Sequence, residues 1–230
     1  MFTLYTPARR ERYTMAKGRP VETRPYHHGD LRAALVDAGL KLAREGGSAA
    51  LGLRSVTRAV GVTPNAAYRH FADHQALVLA VAAEAQDKLA RAMLDRMEAL
   101  RATAGPDPVA QSVRNLHGVG LGYIEFALSE PGWFEIAILT PDDSRAGAPP
   151  ATLADRVAPP YRLLVDALDT MVEAGAMTPE RRVNAEWVCW SSVHGFADLA
   201  ARGPLAWQDR ATIDRLAAHV VDTTVRVLMG

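Results

Sequence analysis

From residue 31 onward, apolar side chains recur at intervals of three and four. Leu31, Leu35, Ala38 and Leu42 fall at spacings of 4, 3 and 4, the stripe of an amphipathic helix. Asp30 stands at the expected positive end of that helix, and Lys41 and Arg44 stand near its negative end. Gly46-Gly47 is expected to stop it. Leu53, Val56 and Val60 predict a short helix over about 53–60, broken by Gly61. Thr63-Pro64 then opens another helix to about Phe71: Thr suits an N-cap, and Pro at the first helical position forfeits no hydrogen bond. Asp73 is predicted to cap a long helix through about Arg101, with Leu77, Val81, Leu89 and Leu94 on its apolar face. Pro106 and Pro108 mark the next break. Further helices are expected over roughly 108–129, 132–139, 155–175, 179–202 and 207–228. The breaks between them fall at Pro131-Gly132, Pro141 through Pro150, Gly175 and Gly203-Pro204. Alternating Val/Ile-rich runs are missing and no internal repeat is visible, so the pattern predicts an all-α fold.

Composition supports a packed chain. Of 230 residues, 49% are hydrophobic and 23% charged, which is enough apolar material for a core. No apolar run reaches the roughly 18 residues of a membrane span. Arg9, Arg10 and Arg12 are not followed by an apolar stretch, so no secretory leader is expected. Cys189 is the only cysteine, which rules out an intramolecular disulfide. It is read as a small buried apolar residue in a cytoplasmic protein. The run Met15-Ala16-Lys17-Gly18-Arg19-Pro20 reads well as a start, making residues 1–14 an expected upstream extension.

Net charge is zero, but it is unevenly placed. Residues 1–76 hold 12 Lys+Arg against 6 Asp+Glu, a formal +6, and the remainder carries −6. A basic first third joined to an acidic remainder directs only the first part at a polyanion. Residues 1–25, with Pro7, Pro20 and Pro25 among polar and basic residues, read as a flexible basic arm.

Residues 53–71 carry the functional signal. Two short helices around a Gly-containing turn form a helix-turn-helix arrangement. Val56, Val60 and Val62 supply the packing, Gly61 the turn backbone, and Ala66 and Ala67 the close approach of neighbouring backbone. The second helix is short enough for its N-terminal half to enter a major groove.

Gly61-Val62-Thr63, followed by Ala66-x-Tyr68-Arg69-His70-Phe71 and Leu77, resembles the DNA-binding domain of TetR-family regulators over about residues 28–77. The resemblance implies DNA-contacting roles for Arg54, Ser55, Thr63, Pro64, Asn65, Ala66, Tyr68, Arg69, His70 and His74, with Lys17, Arg19 and Arg24 of the arm along a groove. Arg54 would reach a guanine edge or a phosphate. Three positions depart from the family pattern. Asn65 stands where Gly is common and can pair bidentately with adenine. His74 stands where a phosphate-contacting Lys is usual, and Thr57 replaces a usual Ala.

The C-terminal two-thirds is rich in aromatics on helical stretches with a few polar groups between them. His117, Tyr123, Phe126, Trp133, Phe134, Tyr161, Trp187, Trp190 and His194 are the candidate lining of a small-molecule pocket. The aromatic content favours a hydrophobic or aromatic effector. Gly122 to Ala127, then Pro131-Gly132-Trp133-Phe134, and Trp190-Ser-Ser-Val-His194-Gly195, together resemble the C-terminal domain of the TetR subfamily named for its Trp-His-Gly (WHG) residues. That resemblance implies a ligand-binding and dimerisation domain whose last two helices, about 179–202 and 207–228, pair with those of a second copy.

The expected organisation is therefore a basic arm (1–25), a three-helix helix-turn-helix domain (26–75) and a larger helical effector-binding and dimerisation domain (76–230). The expected partners are double-stranded operator DNA, a second copy of the chain and a small-molecule effector, with no membrane. The expected function is sequence-specific repression relieved by the effector. A sequence-independent architectural DNA-binding role is the alternative, but it leaves the acidic, aromatic two-thirds without a purpose. No enzyme motif is present: there is no Gly-rich phosphate loop, nucleophile elbow or HExxH helix. His27-His28-x-Asp30 lacks a second ligand cluster. No cofactor and no metal are expected.

Overall fold

The structure, a computed structural model, describes residues 31–138 and 159–230, and every regular element among them is helical. In chain order these are α1 (Leu31–Gly46), α2 (Leu53–Val60), α3 (Pro64–Ala67), α4 (His74–Arg101), α5 (Pro108–Ser129), α6 (Pro131–Ala137), α7 (Pro159–Glu173), α8 (Pro179–Arg182), α9 (Ala185–Ala201) and α10 (Arg210–Met229). Asp30 and the proline-rich break at 141–150 lie outside the described residues.

Local chemistry sets most boundaries. Asp73 Oδ1 accepts the Ala76 amide at 2.7 Å. Asp107 does the same for Val109 and Ala110 at 3.2 and 3.1 Å, and Asp209 for Thr212 at 2.8 Å. These aspartates satisfy N–H groups that a helix start leaves without partners. Two expectations need correction. The helix anticipated over 179–202 is two: Thr178 opens α8, Val183 turns extended, and Asn184 takes a left-handed conformation at φ 61° before α9 begins. Asn tolerates that region better than most residues. Arg182 secures the corner, donating to Asp169 and Glu186 at 2.7 Å each. The core face of α1 is centred on Leu35, Val36, Gly39, Leu40 and Ala43, with Leu31, Ala38 and Leu42 at its margin. Gly39 decides this, because a Cβ there would run into Val81 of α4.

The helices share one apolar core from Leu35 to Leu228. α4 is its axis: its first half packs on α1, and its second half lies against α5. At Gly118 and Gly122 of α5, an added Cβ would meet the Met97 and Met93 backbone within 2.5 and 2.7 Å. The two helices therefore touch backbone to backbone. α9 and α10 close the far side of α5, where Gly120 faces Val221 and Val193.

Candidate nucleic-acid interface and sensor core

The turn between α2 and α3 is made by its sequence. Val56 and Thr57 bury the inner side of α2, and the Thr57 hydroxyl donates to the Leu53 carbonyl at 2.9 Å. Its polar atom is thus satisfied in the core, which explains how Thr stands where Ala is usual. Gly61 has φ 78°, and no atom would meet a Cβ there within 4 Å. Backbone conformation, and not space, requires the glycine. Its amide donates to the Arg58 carbonyl at 3.1 Å, and Val62 donates to Thr57 at 3.0 Å.

Pro64 opens α3 with Thr63 at the N-cap, but the Thr63 hydroxyl makes no capping bond; its carbonyl takes the Ala66 amide at 3.0 Å. Regular α3 ends at Ala67, earlier than the anticipated Phe71, and Tyr68 to His70 continue as a turn. The Phe71 amide still reaches the Ala67 carbonyl at 3.0 Å, while Phe71 itself is buried.

The side chains offered outward are those the motif names. Arg54, Ser55, Thr63, Pro64, Asn65, Tyr68, Arg69, His70 and His74 are exposed, and Ala66 is half-buried. Lys17, Arg19 and Arg24 lie outside the described residues. His74 is not a free basic arm: its Nε2 lies 2.6 Å from the Leu51 carbonyl, which can only accept. Nε2 therefore carries a proton and ties the start of α4 to the loop before α2. Two exposed cations go beyond the motif reading. Arg58 lies one turn beyond Arg54 on α2, a spacing visible in the sequence. Arg32 of α1 stacks over the Phe71 ring at 5.2 Å, which only the tertiary fold reveals.

The aromatic residues divide into separate groups. Tyr123 of α5, Phe134 of α6 and Trp190 and His194 of α9 converge. The Tyr123 hydroxyl is 2.9 Å from His194 Nδ1. Its ring meets Phe134 edge-on at 5.3 Å, and Phe134 lies 5.9 Å from the His194 ring. Burial pushes the Tyr123 hydroxyl well above the usual phenol range, opposed by a hydrogen bond from Trp190, so it remains a neutral phenol. Tyr161 and Trp187 join through Trp190, at ring distances of 5.3 and 6.4 Å. Trp187 is half exposed.

Three of the nine candidate pocket residues lie elsewhere. His117 faces α10: its Nδ1 is 2.9 Å from the Val113 carbonyl, and its Nε2 is 3.6 Å from Asp222. Phe126 and Trp133 border a solvent-open cleft of about 530 Å³ between α4 and α6, with Glu84, Asp87, Lys88 and Arg91 among its walls. Helical spacing within one element does not say which neighbour each face meets. Cys189 is buried, and burial pushes its thiol up to about 12, helped by nearby Glu186. It stays a thiol, as expected of a small core group. No cluster of metal-ligating side chains occurs among the described residues, and no helix among them is long and apolar enough to cross a membrane.

Residues 35–81 match the profile of bacterial regulatory proteins of the tetR family, and residues 116–224 match the tetracyclin repressor-like C-terminal domain. The chain belongs to the TetR family. This TetR-family chain is a DNA-binding transcriptional regulator and not an enzyme. It is 24% identical over 168 residues to YobS of Bacillus subtilis (strain 168), an uncharacterized HTH-type transcriptional regulator, covering 73% of this chain and 78% of that protein. Among solved structures it is similar to a Rhodococcus sp. RHA1 protein of unknown function, with a TM-score of 0.62 and 26% identity over 90% of this chain and all of that one. A TetR family transcription regulator from Marinobacter aquaeolei VT8 shares the fold at TM-score 0.55 and 19% identity, covering 84% and 94% of the two chains. A TetR variant from Acinetobacter baumannii AYE in complex with minocycline shares it at 0.52 and 20%, covering 85% and 94%.

Proposed function

We propose that this TetR-family regulator is a cytoplasmic homodimeric repressor, released from a near-palindromic operator by a hydrophobic or aromatic small molecule. The observation that carries the reading is the shared core: an exposed, basic helix-turn-helix is built onto the same helices that enclose the Tyr123, Phe134, Trp190 and His194 group. The working division is an arm (1–25), a DNA-binding domain (26–75) and an effector-binding and dimerisation domain (76–230).

On DNA, Arg54, Asn65 and Tyr68 read base edges or anchor the recognition segment, and Asn65 favours adenine. Ser55, Thr63, Pro64, Ala66, Arg69, His70 and His74 line the same face, with Arg58 and the arm residues Lys17, Arg19 and Arg24 adding phosphate contacts. Dimerisation uses α9 and α10. The outer side of α9 offers Trp187, Val188 and Leu199, all exposed and apolar, about the open Gly195. A symmetric pair of such faces sets two recognition segments about one DNA turn apart, roughly 34–36 Å. The effector works by population shift: it lowers DNA affinity only as far as it prefers the other arrangement of the helices. A minocycline-bound neighbour of the same fold is consistent with a small-molecule role for the C-terminal half.

The test is binding of the purified protein to its own promoter-region DNA against random duplex, across a salt series. One dimer per near-palindromic site is the expected result. Weak binding, equal on both duplexes and steeply salt-dependent, leaves only the electrostatic contribution and overturns the reading in favour of an architectural role.

A further inference from the structure

The cleft between α4 and α6 lies apart from both the helix-turn-helix and the Tyr123–His194 group. Its volume of about 530 Å³ falls within the usual range of small-molecule sites. One wall is a single face of α4, where Glu84, Lys88, Arg91 and Asp95 follow at spacings of 4, 3 and 4 with Asp87 beside them. The other wall brings Glu130, Trp133 and the buried Phe126. Four carboxylates therefore line the cleft against two cations. The Trp133 ring is its fixed part, because the indole N–H donates to the Leu40 carbonyl at 2.7 Å. Two cations lie over that ring, Arg44 at 4.8 Å and Lys88 at 4.7 Å from its centroid. They are not equivalent. Arg44 is anchored to Glu130 by two bonds of 2.7 and 2.6 Å. Among the described residues Lys88 closes no ion pair. Glu84 nevertheless stands four residues before it, the favourable order for one on a helix. Asp87, Arg91 and Asp95 are likewise unpaired among these residues.

We propose that this cleft binds a small organic cation, a methylated ammonium on an apolar body, with the ammonium over Trp133 in the place that Lys88 holds. An indole ring attracts cations through its negative face, and a methylated ammonium carries less water to shed than a lysine does. Lys88 yields the position at little cost. Its stem is flexible, no carboxylate fixes it on the ring, and Glu84 is within reach once it swings away. Asp87 and Asp95 then supply counter-charge, while Trp133 and Ala92 offer apolar surface. An anion would meet an excess of carboxylates. A bare metal ion is not served either, since no group of three metal-ligating side chains converges among the described residues. This site is separate from the aromatic group given above to the effector, and its occupation does not depend on what the chain does to DNA.

The test is titration of the full-length chain with benzyltrimethylammonium, read by calorimetry and by the indole N–H resonances of its four tryptophans. The Trp133 resonance is identified by its loss in Trp133→Phe, or by elimination in the single Phe variants of the other three if that variant fails to fold. Saturable binding that shifts the Trp133 resonance is expected. The uncharged N,N-dimethylbenzamide should bind about fivefold or more weakly, as loss of a cation–aromatic contact demands. Lys88→Met uncovers the ring and should tighten ammonium binding about threefold or more. Arg91→Met removes the same charge from the cleft without uncovering the ring, and should tighten it less than about 1.5-fold at physiological ionic strength. Both substitutions keep a good helix former on α4. The proposal is overturned by any of four results: no saturation at tens of millimolar, equal binding of the amide, equal effects of the two methionine variants, or a response confined to Trp187, Trp190 or Trp207. A chain that binds its operator specifically but not the ammonium keeps the regulator reading and loses this one. Ammonium binding at Trp133 without specific duplex binding does the reverse.

Discussion

The hydroxyl of Tyr123 lies 2.9 Å from Nδ1 of His194, joining α5 to α9 in the middle of the aromatic core. That bond gives the buried phenol its polar partner, as burial demands. Tyr123→Phe keeps the ring against Phe134 and strands His194 Nδ1. It should fold and lose about 1 kcal/mol of stability, the net worth of one neutral hydrogen bond. Denaturant titration checks this, and an unchanged midpoint would show that water replaces the phenol.

Arg54 is exposed on α2, so its removal costs no packing. Arg54→Ala should keep the native melting temperature and weaken specific operator binding by about 1–3 kcal/mol if it contacts a base. Arg58→Ala, one turn along, should weaken operator and random duplex alike and make the salt dependence shallower. Fluorescence anisotropy on the two duplexes at several salt concentrations separates these outcomes.

Gly195 has no atom within 4 Å of where a Cβ would stand. The single chain therefore gives no steric reason for glycine there. Trp187, Val188 and Leu199, exposed on the same helix, supply one if two α9 helices cross at this point. Gly195→Leu should leave helical content intact and shift the protein from dimer to monomer in sedimentation analysis. A variant that remains fully dimeric places the dimer face elsewhere.

Glu135 is a carboxylate held below its ordinary pKa of 4.5, first by the Ser48 hydroxyl and then by the Ser48 amide. A depressed carboxylate stabilises the fold above its unfolded pKa and loses that contribution as pH falls through the folded value. The joint between α6 and the turn after α1 should therefore loosen with acid below about 4.5. Glu135→Gln should flatten that part of the stability–pH curve while leaving neutral behaviour close to native. Thermal melts from neutral to acid pH give the comparison, and parallel curves for the two proteins would remove Glu135 from the account.

Much of the architecture was legible in the chain because its causes are local. Asp73, Asp107 and Asp209 cap helices, Pro64, Pro108 and Pro131 start them, and Gly61 reverses the backbone between α2 and α3. The recognition segment was legible too, since its exposed residues lie within a single stretch of some twenty positions. The break at Asn184 was missed because the apolar pattern continues across it, and only the pairing of Arg182 with Asp169 and Glu186 shows where the chain turns.

The sequence by itself determined most of the helices, the caps and prolines that open them, the helix-turn-helix and the wealth of aromatics in the second half, because capping, periodicity and turn conformation act between residues near one another in the chain. The tertiary structure decided which aromatic serves which purpose. Trp133 and Phe134 are indistinguishable as neighbours in a sequence, yet one donates to Leu40 on α1 and the other packs against Tyr123 and His194. Consecutive residues on a helix point about 100° apart, and what each one meets depends on elements dozens of positions away.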